Sequence, residues 1–162
     1  MTKTLISLVF LLGLVSLPAF AQKAEVFAGY QFTHLDGNFN GNGWNAAGTV
    51  NVNSYFGVTA DFSGAYKNGI RYHTYLFGPT LSAGKGPISP FVHALFGGAR
   101  ISVSGAPGSA NGFATALGGG VDAGMRHGIA LRVIQLDWLV DHFSGVTDRK
   151  NVRASSGIVL RF

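Results

Sequence analysis

The chain has 162 residues, of which 47% are hydrophobic, 24 are glycine and only 12% are charged, with a formal net charge of +5. Ordinary soluble domains carry about 25% charged residues, so the composition argues against a water-soluble globule. With no cysteine at all, disulfide scaffolds, thiolate-bound metals and lipid-modified leader cysteines are excluded.

The first 21 residues read as an export signal. Met1-Thr2-Lys3-Thr4 is a short basic opening, Leu5 to Leu17 is apolar, and Pro18-Ala19-Phe20-Ala21 ends in the small-x-small pattern of a cleavage site. The apolar run falls short of the roughly 18 to 20 residues of a spanning helix, and Gly13 and Pro18 interrupt it. We therefore expect a cleaved signal peptide over 1–21 and a single domain over 22–162 that carries a net charge of +4 once Lys3 is removed.

No stretch after residue 21 has the apolar length of a membrane helix. A chain this apolar, without such a helix, satisfies its backbone in a bilayer as a closed barrel. The periodicity agrees. In Glu25-Val26-Phe27-Ala28-Gly29-Tyr30-Gln31-Phe32-Thr33, Val26, Ala28, Tyr30 and Phe32 share one face, while Glu25, Gly29, Gln31 and Thr33 share the other. The alternation recurs over 56–63 and 152–162. Taking Gly, Pro, Asn and Asp clusters as turns, strands are predicted near 24–34, 44–52, 55–66, 71–82, 90–101, 113–123, 129–140 and 152–162. The fold class expected is all-β, an eight-stranded antiparallel up-and-down transmembrane β-barrel. Links at 53–54, 83–89 and 124–128 read as tight turns. Those at 35–43, 102–112 and 141–151 read as longer surface loops, and 67–70 as a short one.

Alternation assigns Glu25, Gln31, Asp61, Gln135, Asp137, Arg153 and Arg161 to a polar lumen network. An eight-stranded barrel is just wide enough for its own side chains, so structural filling is expected there, not a wide pore. Strict alternation sets Arg132 on the opposite face from Gln135 and Asp137. Either a bulge lies between them or Arg132 reaches the headgroup level. Tyr30, Phe32, Trp44, Tyr66, Tyr72, Tyr75 and Trp138 are expected in interfacial girdles, and Lys67, Arg71, Arg100, Arg149 and Lys150 on an outer rim facing lipopolysaccharide phosphates.

Three patterns suggest other chemistry and fall short of it. Gly118-Gly119-Gly120 lacks the helix that a phosphate-cradling loop requires. Asp36-Gly37-Asn38-Phe39-Asn40-Gly41 opens like a calcium loop, but its twelfth position is Ala47 and no helices flank it. His142 and Ser144 have a His-x-Ser spacing that resembles the catalytic pair of lipid A deacylase barrels, with Asp148 as the candidate orienting carboxylate. Gly145 stands where that family has Asn, and the final strand expected over 152–162 holds no acid, so His142 and Ser144 stand only as a catalytic alternative. No cofactor or metal is expected.

The closing strand ends on Phe162 with Leu160 and Ile158 two and four positions before it. This resembles the terminal signature read by the barrel assembly machinery. With Glu25-Val26-Phe27-Ala28-Gly29-Tyr30, Thr74-Tyr75-Leu76-Phe77-Gly78-Pro79, Pro90-Phe91-Val92-His93-Ala94-Leu95-Phe96-Gly97-Gly98, Gly118-Gly119-Gly120-Val121-Asp122 and Gln135-Leu136-Asp137-Trp138 in that order, residues 22–162 resemble the small outer-membrane β-barrel domain related to the transmembrane half of outer-membrane protein A. The resemblance implies an outer-membrane protein exported across the inner membrane, monomeric, in contact with lipid and lipopolysaccharide, with no nucleic acid partner. No cell-wall tether in cis is expected. The leading functional reading is a structural or surface-interaction role in the envelope; a narrow conduit for ions or small solutes, or a lipid A hydrolase, are the alternatives. A soluble ligand-binding barrel, the fold-level rival, would show a polar exterior and an apolar interior.

Overall fold

A computed structural model describes residues 24–36, 39–83, 86–105, 107–124 and 127–162. The expected signal peptide and its cleavage point before Gln22 lie outside the described residues. Eight strands follow one another: β1 (Ala24–Leu35), β2 (Phe39–Asn51), β3 (Phe56–Lys67), β4 (Ile70–Ser82), β5 (Ile88–Val103), β6 (Ser109–Gly124), β7 (Ile129–Phe143) and β8 (Val146–Arg161). Each pairs antiparallel with the next, and β8 pairs with β1 through Glu25↔Arg161 to His34↔Val152, which closes the barrel. At this seam Gly29 faces Gly157, and a Cβ on either would press on the other strand's backbone.

Sequence and structure differ at the end of the barrel away from the termini. The long connections expected at 35–43, 102–112 and 141–151 are mostly strand, because β2 begins at Phe39, β6 at Ser109, and β7 and β8 run on to Phe143 and Val146. The remaining links, 36–38, 68–69, 104–108 and 144–145, span two to five residues, against four or five for the opposite turns at 52–55, 83–87 and 125–128. Polar composition suggested loops, but backbone pairing needs no apolar face once water bathes both sides of a hairpin. The two tightest links show why the ladder runs to the tip. Asn68 and Gly69, like Ser144 and Gly145, all have positive φ, the twist of a two-residue turn that matches the flanking strands.

The wall is apolar outside. Val26, Phe32, Val58, Phe62, Phe77, Val92, Phe96, Leu117, Leu136, Ile158 and Leu160 point outward and are exposed, while Gln31, Asp61, Gln135, Asp137 and Arg153 point inward at 1% exposure or less. That distribution inverts a soluble barrel. Toward the far end, outward aromatics bond to one another and to the wall. Tyr30 Oη donates to Asn42 (2.6 Å), Trp44 Nε1 to Tyr66 Oη (3.1 Å), and Trp138 Nε1 to the Arg149 carbonyl (2.5 Å). Gly64 leaves the space in which Trp44, Tyr66 and His73 meet. Rings with an apolar body and a bonded polar tip suit a membrane–water boundary. Tyr72, expected in this girdle, faces inward at 1% exposure: it lies between outward Arg71 and His73, and its hydroxyl finds Asp141 inside.

Candidate functional site: the barrel lumen and its rim

The pleat of eight strands aims every second side chain at the axis, and the lumen fills in layers. Near the termini, Glu25 and Arg161 face each other from β1 and β8, with Arg161 Nε 3.7 Å from Glu25 and Nη2 3.3 Å from Asp122. Asp122 also takes a bidentate pair from Arg132, at 2.9 Å from Nε and 3.2 Å from Nη2, the strongest geometry for such a contact. The Arg132 guanidinium lies between the Phe27 and Phe91 rings, 4.4 and 4.2 Å from their centroids, an arrangement worth about 0.5–2 kcal/mol per ring by cation–π attraction.

Arg132 enters the lumen because of a bulge. Register slips between Arg132 and Gln135, so that Val133 and Ile134 both face outward and the alternation restarts in phase at Gln135. The bulge, not a reach to the headgroups, resolves the parity conflict in the sequence. Arg132 Nη1 then donates to Gln135 Oε1 (2.7 Å), which links the lower layer to the central one.

In the central layer Arg153, fully buried, donates to Asp61 (2.8 Å) and to Asp137 (2.8 Å). Asn45 Nδ2 holds the other Asp61 oxygen (2.8 Å), Gln135 Nε2 donates to Asp137 (2.8 Å), and His93 Nε2 meets Asp137 Oδ1 at 2.7 Å. Gln31 Nε2 donates to Thr33 Oγ1 (3.1 Å). All seven residues assigned to the lumen face it, and six are joined through the Arg–Asp chain. Asn45, His93, Asp122 and Arg132 belong to the same network, and sequence reasoning missed their part in it. For Asn45, His93 and Asp122 the signal was available in the inward parity of their strands.

Toward the far end the lumen turns apolar. Leu76, Leu95 and Leu139, each fully buried, pack with Leu35, Tyr72, Ala65, Ala99, Ala114 and Ala116, and Phe39, Ile101 and Phe143 cover them. The interior is thus a charged lower half capped by an aliphatic plug. A cavity of about 30 Å³ remains among the side chains of the lower half, room for one or two waters.

Arg71, Arg100, Arg149 and Lys150 are exposed near the far end, and Lys67 there is half-buried. They form two groups. Arg71 and Arg100 point outward from neighbouring β4 and β5, where Arg71 donates to Ser104 (3.2 Å). Arg149 and Lys150 stand where β8 opposes two residues to one of β7. Lys67 carries the inward parity of β3. Ile158, Leu160 and Phe162 point outward on and just past β8, beside β1.

His142 is exposed and its Nδ1 lies 2.8 Å from Thr147 Oγ1 across the hairpin, while Ser144 occupies the turn with φ +48°. Asp148 pairs with Asp141 on the lumen side, opposite His142, so the three groups are not assembled as a triad. In the segment that opens like a calcium loop, Phe39 and Asn40 already belong to β2, and Asn40 Oδ1 lies 2.5 Å from His34 Nδ1. Among the described residues no three metal-capable side chains come together.

No family model matches the chain, and no curated protein matches it significantly. Solved structures do. The attachment invasion locus protein Ail of Yersinia pestis superposes with a TM-score of 0.56 at 18% identity, over 87% of this chain and 99% of that one. Neisserial surface protein A gives 0.65 at 14% identity, over 86% and 96%. The N-terminal β-barrel domain of Pseudomonas aeruginosa OprF gives 0.62 at 9% identity, over 87% and 98%. The fold is that of the small eight-stranded outer-membrane barrels.

Proposed function

We propose that the protein is an integral outer-membrane β-barrel with a structural or surface-interaction role in the cell envelope. The observation that carries this is the inversion of polarity, an apolar wall with bonded aromatics around a lumen closed by ion pairs below and aliphatic side chains above. Such a wall is stable only against lipid. Residues 1–21 direct export and are removed, and Ile158, Leu160 and Phe162 present the terminal strand to the assembly machinery.

The working surface is the far rim. Arg71, Arg100, Arg149 and Lys150 offer cations at the level of lipopolysaccharide phosphates. Ail has been crystallised with the polyanion sucrose octasulfate, which supports an anionic partner for a rim of this kind. A conduit is disfavoured because an ion would have to cross Leu76, Leu95 and Leu139, and a hydrolase because His142 is engaged by Thr147 and Asp148 faces away from it.

Fractionation after expression in a Gram-negative host is the direct test. Recovery in the outer membrane, with a band whose gel mobility changes on boiling, is the expected result. Recovery as soluble periplasmic protein would overturn the proposal.

A further inference from the structure

We infer that the far mouth of the lumen is a binding site for a small amphipathic cation, a protonated amine carried on an apolar body about the size of one aromatic ring. Above the aliphatic plug lies a cavity of about 240 Å³ walled by Leu35, Phe39, Ile70, Tyr72, Ile101 and Phe143, with Asp36, Asp141, Asp148 and Asn151 completing the lining. Cavities of roughly 150 Å³ with apolar walls already take up benzene. The space is sufficient for one ring and a short chain.

The charge of the site points to a cation. No Lys or Arg lines the cavity, and Lys67 on the same rim is not part of it. Asp141 and Asp148 stand directly opposite each other on β7 and β8, both on the lumen side, a like-charge pairing that costs stability. Asp141 is 2% exposed. Its Oδ2 accepts from Tyr72 Oη (2.8 Å) and Asn151 Nδ2 (2.9 Å), and its Oδ1 has no hydrogen-bond partner. A buried carboxylate oxygen without a donor is costly. An ammonium group beside Asp148 and Asp141 cancels the repulsion between the two carboxylates, while its apolar body covers the walls. A neutral ligand fits the walls and leaves the carboxylate pair as it is. The walls are inward-facing side chains of the strands, with Asp36 at the exposed rim, and the plug closes the floor, so the ligand enters from the far end and not from the bilayer.

The test uses protein expressed from the full-length chain, purified from membranes and held in nanodiscs. It is titrated by NMR with phenethylammonium, 2-phenylethanol and 3-phenylpropionate. The ammonium should bind about tenfold or more tightly than the alcohol, with shifts confined to the mouth, and the anion should not bind. Asp148→Asn should weaken the ammonium about tenfold and leave the alcohol unchanged. Asp148 is half-exposed in a hairpin, so this variant keeps the test open if Asp141→Asn does not fold. Ile101→Trp should fill the cavity and abolish both. Equal affinities for ammonium and alcohol, indifference to Asp148→Asn, absence of ammonium binding at millimolar concentration, or shifts spread over the outer wall would each overturn the site.

Discussion

The two halves of the lumen are built on opposite rules inside one wall. Below, Arg153, Asp61, Asp137, Arg132 and Asp122 are held by pairing, and each charge is stable only while its partners stay. Above, Leu76, Leu95 and Leu139 are held by area and close packing, with no directional partner. The difference teaches what each half tolerates. The charged half is brittle to the loss of one member and indifferent to replacing the whole set, whereas the aliphatic half loses stability in proportion to the volume removed.

The largest expected effect therefore belongs to Arg153→Met. It strips the shared cation from two buried carboxylates and should lower the unfolding free energy by about 3–5 kcal/mol. Urea unfolding in lipid vesicles measures it, with the heat-modifiable fraction as the signal. The triple variant with Asp61→Asn and Asp137→Asn should recover most of the loss. If the single and triple variants are equally weak, the charged layer is not held by pairing and the contrast between the halves fails. Leu95→Ala comes next, at about 3 kcal/mol from lost transfer energy and the residual cavity. No second substitution among the ionic residues should rescue it. Gly118→Ala should cost about 1–3 kcal/mol by overpacking, because the added Cβ would collide with Asp137 Oδ1 and with the Leu136 backbone carbonyl.

The halves also differed in how far they could be read before the structure was known. Where one face is polar and the other apolar, period two is visible, and Gln31, Asp61 and Arg153 sort to the lumen by counting from Glu25, Phe56 or Phe162. Where both faces are apolar the period vanishes. Leu95 sits between Ala94 and Phe96, and Leu139 between Trp138 and Val140, so nothing in those runs distinguishes a residue of the plug from one facing lipid. Tyr72 was misplaced for a related reason, since an aromatic near a strand end suits a girdle as well as a lumen. Arg132 was undecided because a bulge changes parity without leaving a mark in composition, and only the pairing of β7 with both neighbours reveals it. The far hairpins were hidden by their polarity, although Asn68-Gly69 and Ser144-Gly145 already carried the turn chemistry that allows pairing to the tip.

The smallest stability effect should come from the rim, and it separates a residue's place in the fold from its place in function. Arg71, Arg100, Arg149 and Lys150 make few ties to the barrel, so changing all four to Gln should alter unfolding by no more than about 0.5 kcal/mol per site. Exposed cations that face phosphates act through screened attraction and charge-assisted hydrogen bonds. Binding of purified lipopolysaccharide to the wild-type protein should therefore weaken steeply with added salt. The fourfold variant should bind more weakly, and its remaining binding should depend less on salt. Because Arg71 and Arg100 lie on β4 and β5 while Arg149 and Lys150 lie on β8, the two pairs face different sectors of the leaflet and their contributions should add. A variant that binds as wild type at low salt would reduce the rim to ordinary surface charge and move the interaction surface to the hairpin tips.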